Sequence, residues 1–416
     1  MVGSIRGAVV LVLAAFAAAA CNGEPTTGIA TTVAPTTTDS PPVRVDDQVL
    51  RIGLVVPAEP ATIGASIEAS AEEAVEQIND VGGVLGTDVE LFVVVDGDTL
   101  TSAAAAVEVL AADDIDVDAM VGPVSSLTAT AALDVAVDAQ IVSCSATASA
   151  IDLTDFPDDG LFFRTVPSDA LQAEAIADRV ERTGAADALI VHVDDPFGRS
   201  FAAAAEDSLR ERSIGVASTV GVPPAVVEAP DALDDALDLG ADVVIVLASA
   251  ADTLSVLSIL DGASVDARRI VVNDAVRNSE SAPALAELSD DFRSRVVGVA
   301  PAVVIRDDEG AITTGPFEVQ VEDCINLIAL AALQGGSDAP ALIASQMPSV
   351  STGGSPCSTF EQCAQRIDQG LQINYNGRSG TAELTRTGET SRAEFETFVV
   401  GDDGTPEFDT TFPVSV

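Results

Sequence analysis

From residue 49 to about residue 300 the chain alternates short Val/Ile/Leu runs with longer Ala-rich amphipathic stretches, and this alternation most narrows what it can fold into. The pattern predicts strands over 51–57, 89–96, 118–122, 139–143, 188–194, 215–220, 241–248, 269–273 and 295–300. It predicts helices over 64–81, 102–113, 127–137, 171–183, 198–212, 231–239, 251–261, 282–288 and 317–334. In the first helix Ile67, Ala71, Ala74, Val75, Ile78 and Val81 recur at spacings of three and four, and Gly82-Gly83 then stops it. At Asp195-Pro196 the Asp can accept free backbone N–H groups and the Pro fits a first helical turn. Strands alternating with helices imply right-handed βαβ units and parallel sheets. This many strands exceeds one such sheet, so the fold class expected is α/β with two doubly wound parallel-sheet lobes. From Gly370 to Val416 the character changes: Tyr375-Asn376-Gly377, Thr387-Gly388 and Asp402-Asp403-Gly404 are turn signals between short extended runs, as in hairpins.

Composition narrows function more than fold. Aromatic residues are 4% of the chain, with one Tyr and no Trp, so the cores are built from Ala, Val, Leu and Ile. Acidic residues number 66 against 19 basic ones, all Arg, for a formal charge of −47. Such a surface repels nucleic acid and anionic lipid, and suits solubility in a salty or acidic setting. The five Cys form no CxxC or Cys/His cluster and His192 is the only His, which argues against zinc. No GxSxG, P-loop or GxGxxG occurs, and adjacent acids such as Asp113-Asp114 and Asp158-Asp159 are too common here to signal glycosidase chemistry. The expectation is that the chain is not an enzyme and carries no cofactor.

The start of the chain reads as an address. Residues 1–20 carry Arg6 and then an apolar stretch too short and Ala-rich for a good membrane span, as in an export signal. Ala18-Ala19-Ala20-Cys21 resembles a bacterial lipobox, which implies lipidation of Cys21 and anchoring on the extracytoplasmic face of the cell membrane. Residues 22–46 are Thr- and Pro-rich with little to bury, as in a disordered tether.

The ordered segments IGLVVP (52–57), INDVGGVLG (78–86), VELFVVVDGD (89–98), DAMVGPVSS (118–126), SCSATASAIDLTD (143–155), LFFRTVPSDALQ (161–172), IVHVDDPFGRS (190–200) and VVNDAVRN (271–278) resemble the branched-chain amino-acid binding proteins of ABC importers, the type I periplasmic binding fold. The resemblance runs over most of residues 49–400. It implies three chain crossings between the lobes, near Thr165, Gly298 and Gly388. The division is then 1–20 signal, 21–48 tether, 49–165 with 298–388 as the first lobe, and 166–297 with 389–416 as the second. It further implies a monomer that closes on an amino acid or related metabolite and is recognised by an importer permease. A sensing module with the same fold is the alternative.

Helix N-termini and hydroxyls at strand ends suit a ligand carboxylate. Ser125-Ser126 and Ser145-Ala146-Thr147 stand at two such ends. By the resemblance, Ser126 and Thr147 grip the carboxylate, the Ser145 carbonyl accepts from the ammonium, Asp274 pairs with the ammonium, and Phe197 packs on the ligand. The family often has Tyr where Phe197 stands and an aromatic where Ile63 stands. The resemblance also implies a Cys357–Cys363 bridge. Cys144 and Cys324 both fall in the first lobe and are either a second bridge or two buried free thiols.

Overall fold

The computed structural model describes residues 46–58, 61–263, 265–278, 280–302, 317–381 and 383–415. The expected export signal, Cys21 and nearly all of the expected tether lie outside the described residues. In chain order the first segment is β1 (Arg51–Pro57), α1 (Ala61–Asp80), β2 (Glu90–Asp96), α2 (Leu100–Leu110), β3 (Ala119–Val121), α3 (Ala129–Asp138), β4 (Val142–Ser145), a 3-10 turn (Ile151–Leu153) and β5 (Phe162–Arg164). The second is α4 (Asp169–Arg182), β6 (Asp187–Val193), α5 (Pro196–Glu211), β7 (Gly215–Val222), α6 (Asp231–Leu237), β8 (Val243–Leu247), α7 (Ala250–Gly262), β9 (Arg269–Val272), α8 (Ala282–Ala286), α9 (Asp290–Arg293) and β10 (Val296–Pro301). Then come α10 (Glu318–Gly335), α11 (Pro340–Val350), β11 (Ser355–Cys357), α12 (Phe360–Asp368), β12 (Ile373–Gly377) and β13 (Gly380–Thr381), and finally β14 (Arg392–Val400) and β15 (Pro406–Ser415).

Two sheets carry the two lobes. The first runs β2-β1-β3-β4-β5, all parallel. The second runs β15-β14-β10-β9-β8-β6-β7, parallel from β10 to β7 with the antiparallel pair β14 and β15 closing one edge. Strand alternation buries both faces of each. In β1, Ile52, Leu54 and Val56 enter a core with α1 and α10, while Val55 faces α2 and α3. In β8, Val244 and Val246 meet α6 and α7, while Val243, Ile245 and Leu247 meet α4 and α5. The doubly wound architecture expected from the alternation is present in both.

Several boundaries differ from the sequence reading, for identifiable reasons. β4 begins at Val142 because residues 139–141 finish α3: Ala139 and Ile141 donate to Val135 and Ala136, and Gln140 adopts φ 56°. Ser145 is therefore the last residue of β4, not a loop residue after it. Gly298 is mid-β10, paired with Val272 and Phe398, so the second crossing starts beyond Pro301. Tyr375-Asn376-Gly377 lies in β12, and the chain turns at Arg378-Ser379. The turn is held by Asp323, a buried acid of α10 that accepts from Tyr375 Oη (2.7 Å) and from the backbone N–H groups of Arg378 (3.1 Å) and Ser379 (2.8 Å). A Cβ at residue 377 would fall 1.8 Å from Asp323 Oδ1, which explains Gly377. α11 and α12 were not foreseen.

All four described cysteines are paired in the first lobe. Cys357–Cys363 spans a sequence separation of 6, and Cys144–Cys324 one of 180 with Cα atoms 5.7 Å apart. The longer bridge joins β4 to α10 and so ties together the two parts of a lobe that the second lobe interrupts. Loop-closure entropy favours the longer bridge: about 5 kcal/mol at most for it, against about 2 kcal/mol for the short one. Denaturant titration of Cys144→Ala/Cys324→Ala is expected to show a loss of about 3–5 kcal/mol, and Cys357→Ala/Cys363→Ala about 2 kcal/mol or less. Equal losses would contradict this assignment.

Candidate functional site

In a parallel sheet every strand ends at the same edge, and the residues predicted to bind are at that edge. β3 and β4 are neighbours, with Val121 opposite Cys144. The loops that leave them are stitched together. Ser145 Oγ donates to the Pro123 carbonyl (2.7 Å) and accepts from Ala148 N (2.9 Å). Thr147 Oγ1 donates to the Val124 carbonyl. Ser126 Oγ accepts from Ala150 N (3.3 Å), and Ser125 Oγ accepts from Leu127 N (3.2 Å). Ser125, Ser126, Ser145 and Thr147 thus belong to one pair of loops. Ile63 is half-buried in the first turn of α1, which follows β1 at the same edge.

The bonding separates the four chemically. Ser145 is wholly buried and its hydroxyl is committed; its carbonyl already accepts from Thr165 N (3.1 Å) and keeps one lone pair. Thr147 spends its proton on Val124 and turns only lone pairs elsewhere, which differs from the carboxylate-gripping role that the resemblance implies. Ser126 uses its hydroxyl as acceptor, so its proton remains to donate to an anion, and among the described residues its backbone N–H has no acceptor.

The second lobe offers the matching edge, since β6, β8 and β9 are adjacent and parallel. Asp274 follows β9 after Asn273; its Oδ1 accepts from Gln172 Nε2 (3.0 Å), which also donates to the Val299 carbonyl (2.8 Å). Asp274 is open to water on one side and crowded by protein on the others. That crowding holds its carboxyl above the usual range, with Gln172 opposing. Phe197, in the first turn of α5, is half-buried and meets Phe201 edge-on at 5.8 Å between ring centroids. α5 lies against the 3-10 turn of the first lobe, and Asp169 N donates to the Ser149 carbonyl (2.9 Å), so the two edges adjoin. No hydrogen bond among the described residues joins Phe197 or Asp274 to the four first-lobe residues.

Three residues beside the site went unassigned in the sequence reading: Arg164, Asp169 and Gln172, all buried. No local signal in FFRTVPSDALQ separates them from exposed polar residues, since only their partners show that they are buried. A cavity lies elsewhere, at the opposite edge of the second sheet between the ends of α6 and α7, lined by Leu237, Asp238, Val265 and Asp266. It contains none of the predicted residues. Among the described residues no cluster of three or more His, Cys, Asp or Glu is arranged for a metal, and no single helix is long and apolar enough to cross a membrane.

Burial pushes the Asp169 carboxyl up to about 7 from 3.8; Ser149 and Arg164 oppose the rise, and the charge on Asp274 adds to it. An acid whose folded pKa exceeds its unfolded one holds an extra proton in the folded state between the two values. Its stability contribution is full below about pH 4 and is lost as the pH rises to about 7, at a cost of up to about 4 kcal/mol. Asp169→Asn is therefore expected to flatten the fall in unfolding free energy between about pH 4.5 and about pH 7.5. Parallel pH profiles for variant and parent would contradict the assignment.

A family profile described as periplasmic binding protein matches residues 49–291. The chain is 32% identical over 356 residues to the chemotactic signal transduction system substrate-binding protein BasB of Halobacterium salinarum, covering 81% of this chain and 84% of that one. Its fold is similar to the leucine-binding protein LivK of Thermotoga maritima (15% identity, 88% of this chain, 99% of that one, TM-score 0.68). It is also similar to the branched-chain amino-acid transporter substrate-binding protein LivJ of Streptococcus pneumoniae, solved with isoleucine (18% identity, 88% and 100% covered, TM-score 0.66).

Proposed function

The chain belongs to the periplasmic binding protein family, and from that premise we propose that it closes its lobes on an amino acid or related small polar metabolite for delivery to an ABC importer. The observation that carries the ligand class is the pairing of opposite chemistries on adjoining edges. The first-lobe edge keeps a hydroxyl proton at Ser126 beside a backbone N–H that has no acceptor among the described residues, which suits a carboxylate. The second-lobe edge brings Asp274 and the half-buried ring of Phe197, which suit an ammonium and an apolar body. Ser145 contributes its remaining carbonyl lone pair and Thr147 its hydroxyl oxygen. Ser125 and Ile63 flank the same edge. Micromolar affinity requires about −8 kcal/mol, within reach of a zwitterion held dry between two lobes. Closure then follows from the ligand's higher affinity for the closed state.

Cys21 carries the lipid in this reading and holds the protein, as a monomer, at the outer face of the cell membrane. The similarity to a chemotactic substrate-binding protein favours a second reading, in which the closed form addresses a signal transducer. Both readings share the binding step and differ only in what docks afterwards.

A thermal-shift screen of amino acids and related metabolites, followed by calorimetry on the best binder, tests the reading. Asp274→Ala is expected to weaken binding by about a hundredfold, the cost of leaving a desolvated charge unpaired. Thr147→Ala is expected to weaken it by about tenfold. Unchanged affinity in both variants would refute the residue assignment. Detergent-phase partitioning tests the anchor: the parent is expected in the detergent phase and Cys21→Ala in the aqueous phase, and parent protein in the aqueous phase would refute lipidation.

A further inference from the structure

Arg164 ends β5 and is the last first-lobe residue before the chain crosses into α4. Its side chain is wholly buried, and each of its five N–H groups has an acceptor. Nε and one terminal nitrogen bind both oxygens of Glu389, at 2.8 and 2.7 Å. The same terminal nitrogen donates to Thr154 Oγ1 (2.9 Å). The other terminal nitrogen donates to the carbonyls of Ala148 (3.2 Å) and Ala150 (2.9 Å). One guanidinium thus holds two separate pieces of chain. Glu389 stands in the third crossing, just ahead of β14, and Ala148, Ala150 and Thr154 belong to the loop after β4 that carries Thr147.

The backbone makes the same connection. Arg164 N donates to the Gly388 carbonyl (3.0 Å). Gly388, at φ 74°, approaches β5 so closely that a Cβ would fall 1.9 Å from the Phe162 carbonyl oxygen. The far side of the loop is pinned by the candidate site itself: Ala148 N donates to Ser145 Oγ and Ala150 N to Ser126 Oγ. Ala150 therefore has its carbonyl on Arg164 and its amide on Ser126.

We infer that Arg164 and Glu389 form a positioning clamp that fixes the loop 145–154 to the third interlobe crossing, so that lobe rotation and the shape of the Ser126–Thr147 edge change together. The inference rests on the proposed function only in naming that edge as the ligand edge. A planar fork of five donors can bind a carboxylate and three loop oxygens at once, which a lysine ammonium cannot. A buried ion pair is a weak source of net stability because desolvation offsets the attraction, so its contribution here is fixed geometry.

Hydrogen–deuterium exchange on the full, ligand-free protein tests the clamp. In Glu389→Gln the amides of residues 145–154 are expected to exchange about tenfold faster or more, as follows from losing a charge-assisted bond. Thr154→Val keeps the ion pair and removes one loop acceptor, so it is expected to accelerate the same amides by a smaller factor. In both, the amides of β1 and β8 keep the parent's protection. Unchanged loop exchange, or equal acceleration in the loop and both central strands, would overturn the inference; should Glu389→Gln fail to fold, Thr154→Val decides alone. The experiment uses no ligand, so a failure of the clamp and a failure of the binding reading are read separately.

Discussion

A parallel sheet sends all its strand ends to one edge, and the rest of this molecule depends on that constraint. At the edge the backbone leaves the ladder, and its polar groups must find partners or remain for a ligand. In the first lobe most are consumed locally: Ser145 bonds the Pro123 carbonyl and Thr147 the Val124 carbonyl. What remains is directional, a donor at Ser126 and acceptors at Ser145 and Thr147. In the second lobe the same edge logic places Asp274 at the end of β9 and Phe197 just after β6. Two edges with complementary remainders give lobes whose cores are built mainly of Val, Leu, Ile and Ala a polar rim suited to the proposed ligand.

Bringing the edges into register is a problem of chain topology. The first lobe is interrupted by the second, so its core must be completed by α10 and the strands that follow it, far along the chain. Apolar burial does most of this: Ile325, Leu327, Ile328, Leu330 and Ala331 of α10 are fully buried. Polar fastenings then set the register. Cys144–Cys324 joins β4 to α10, Asp323 holds the turn after β12, and Arg164 joins β5 to the third crossing. The bridge and Arg164 lie on β4 and β5, neighbouring strands of the first sheet.

How much of this the sequence made legible follows from the range of the forces involved. The helices α1, α5 and α7 and the longer strands were readable because local periodicity and capping residues such as Asp195 act within a few residues. The three-residue strands β3 and β5 are defined by their neighbours, so sequence gives them weak edges; β5 was quoted only as part of a motif. The ends of α3 and the turn at Arg378-Ser379 were misplaced because a helix C-terminal turn in one case and a buried carboxylate 55 residues away in the other decide them. α11 and α12 lie in a stretch rich in Ser, Pro and Gly whose helices are fixed by packing on α10 and by the Cys357–Cys363 bridge. The residues of the candidate site came from resemblance together with strand-end logic. Arg164, Asp169 and Gln172 were missed because a buried polar residue in sequence looks like an exposed one; only its partners distinguish it.

In the proposed complex a zwitterion lies between the two edges with its carboxylate at Ser126 and its ammonium at Asp274. A crystal structure of the protein with its best-binding amino acid tests this most directly. Ligand density is expected to bridge the two lobes, with one carboxylate oxygen within hydrogen-bond distance of Ser126 and the ammonium beside Asp274 and the Ser145 carbonyl. Density for the ligand in the cavity between α6 and α7, or against one lobe only in a closed molecule, would contradict it.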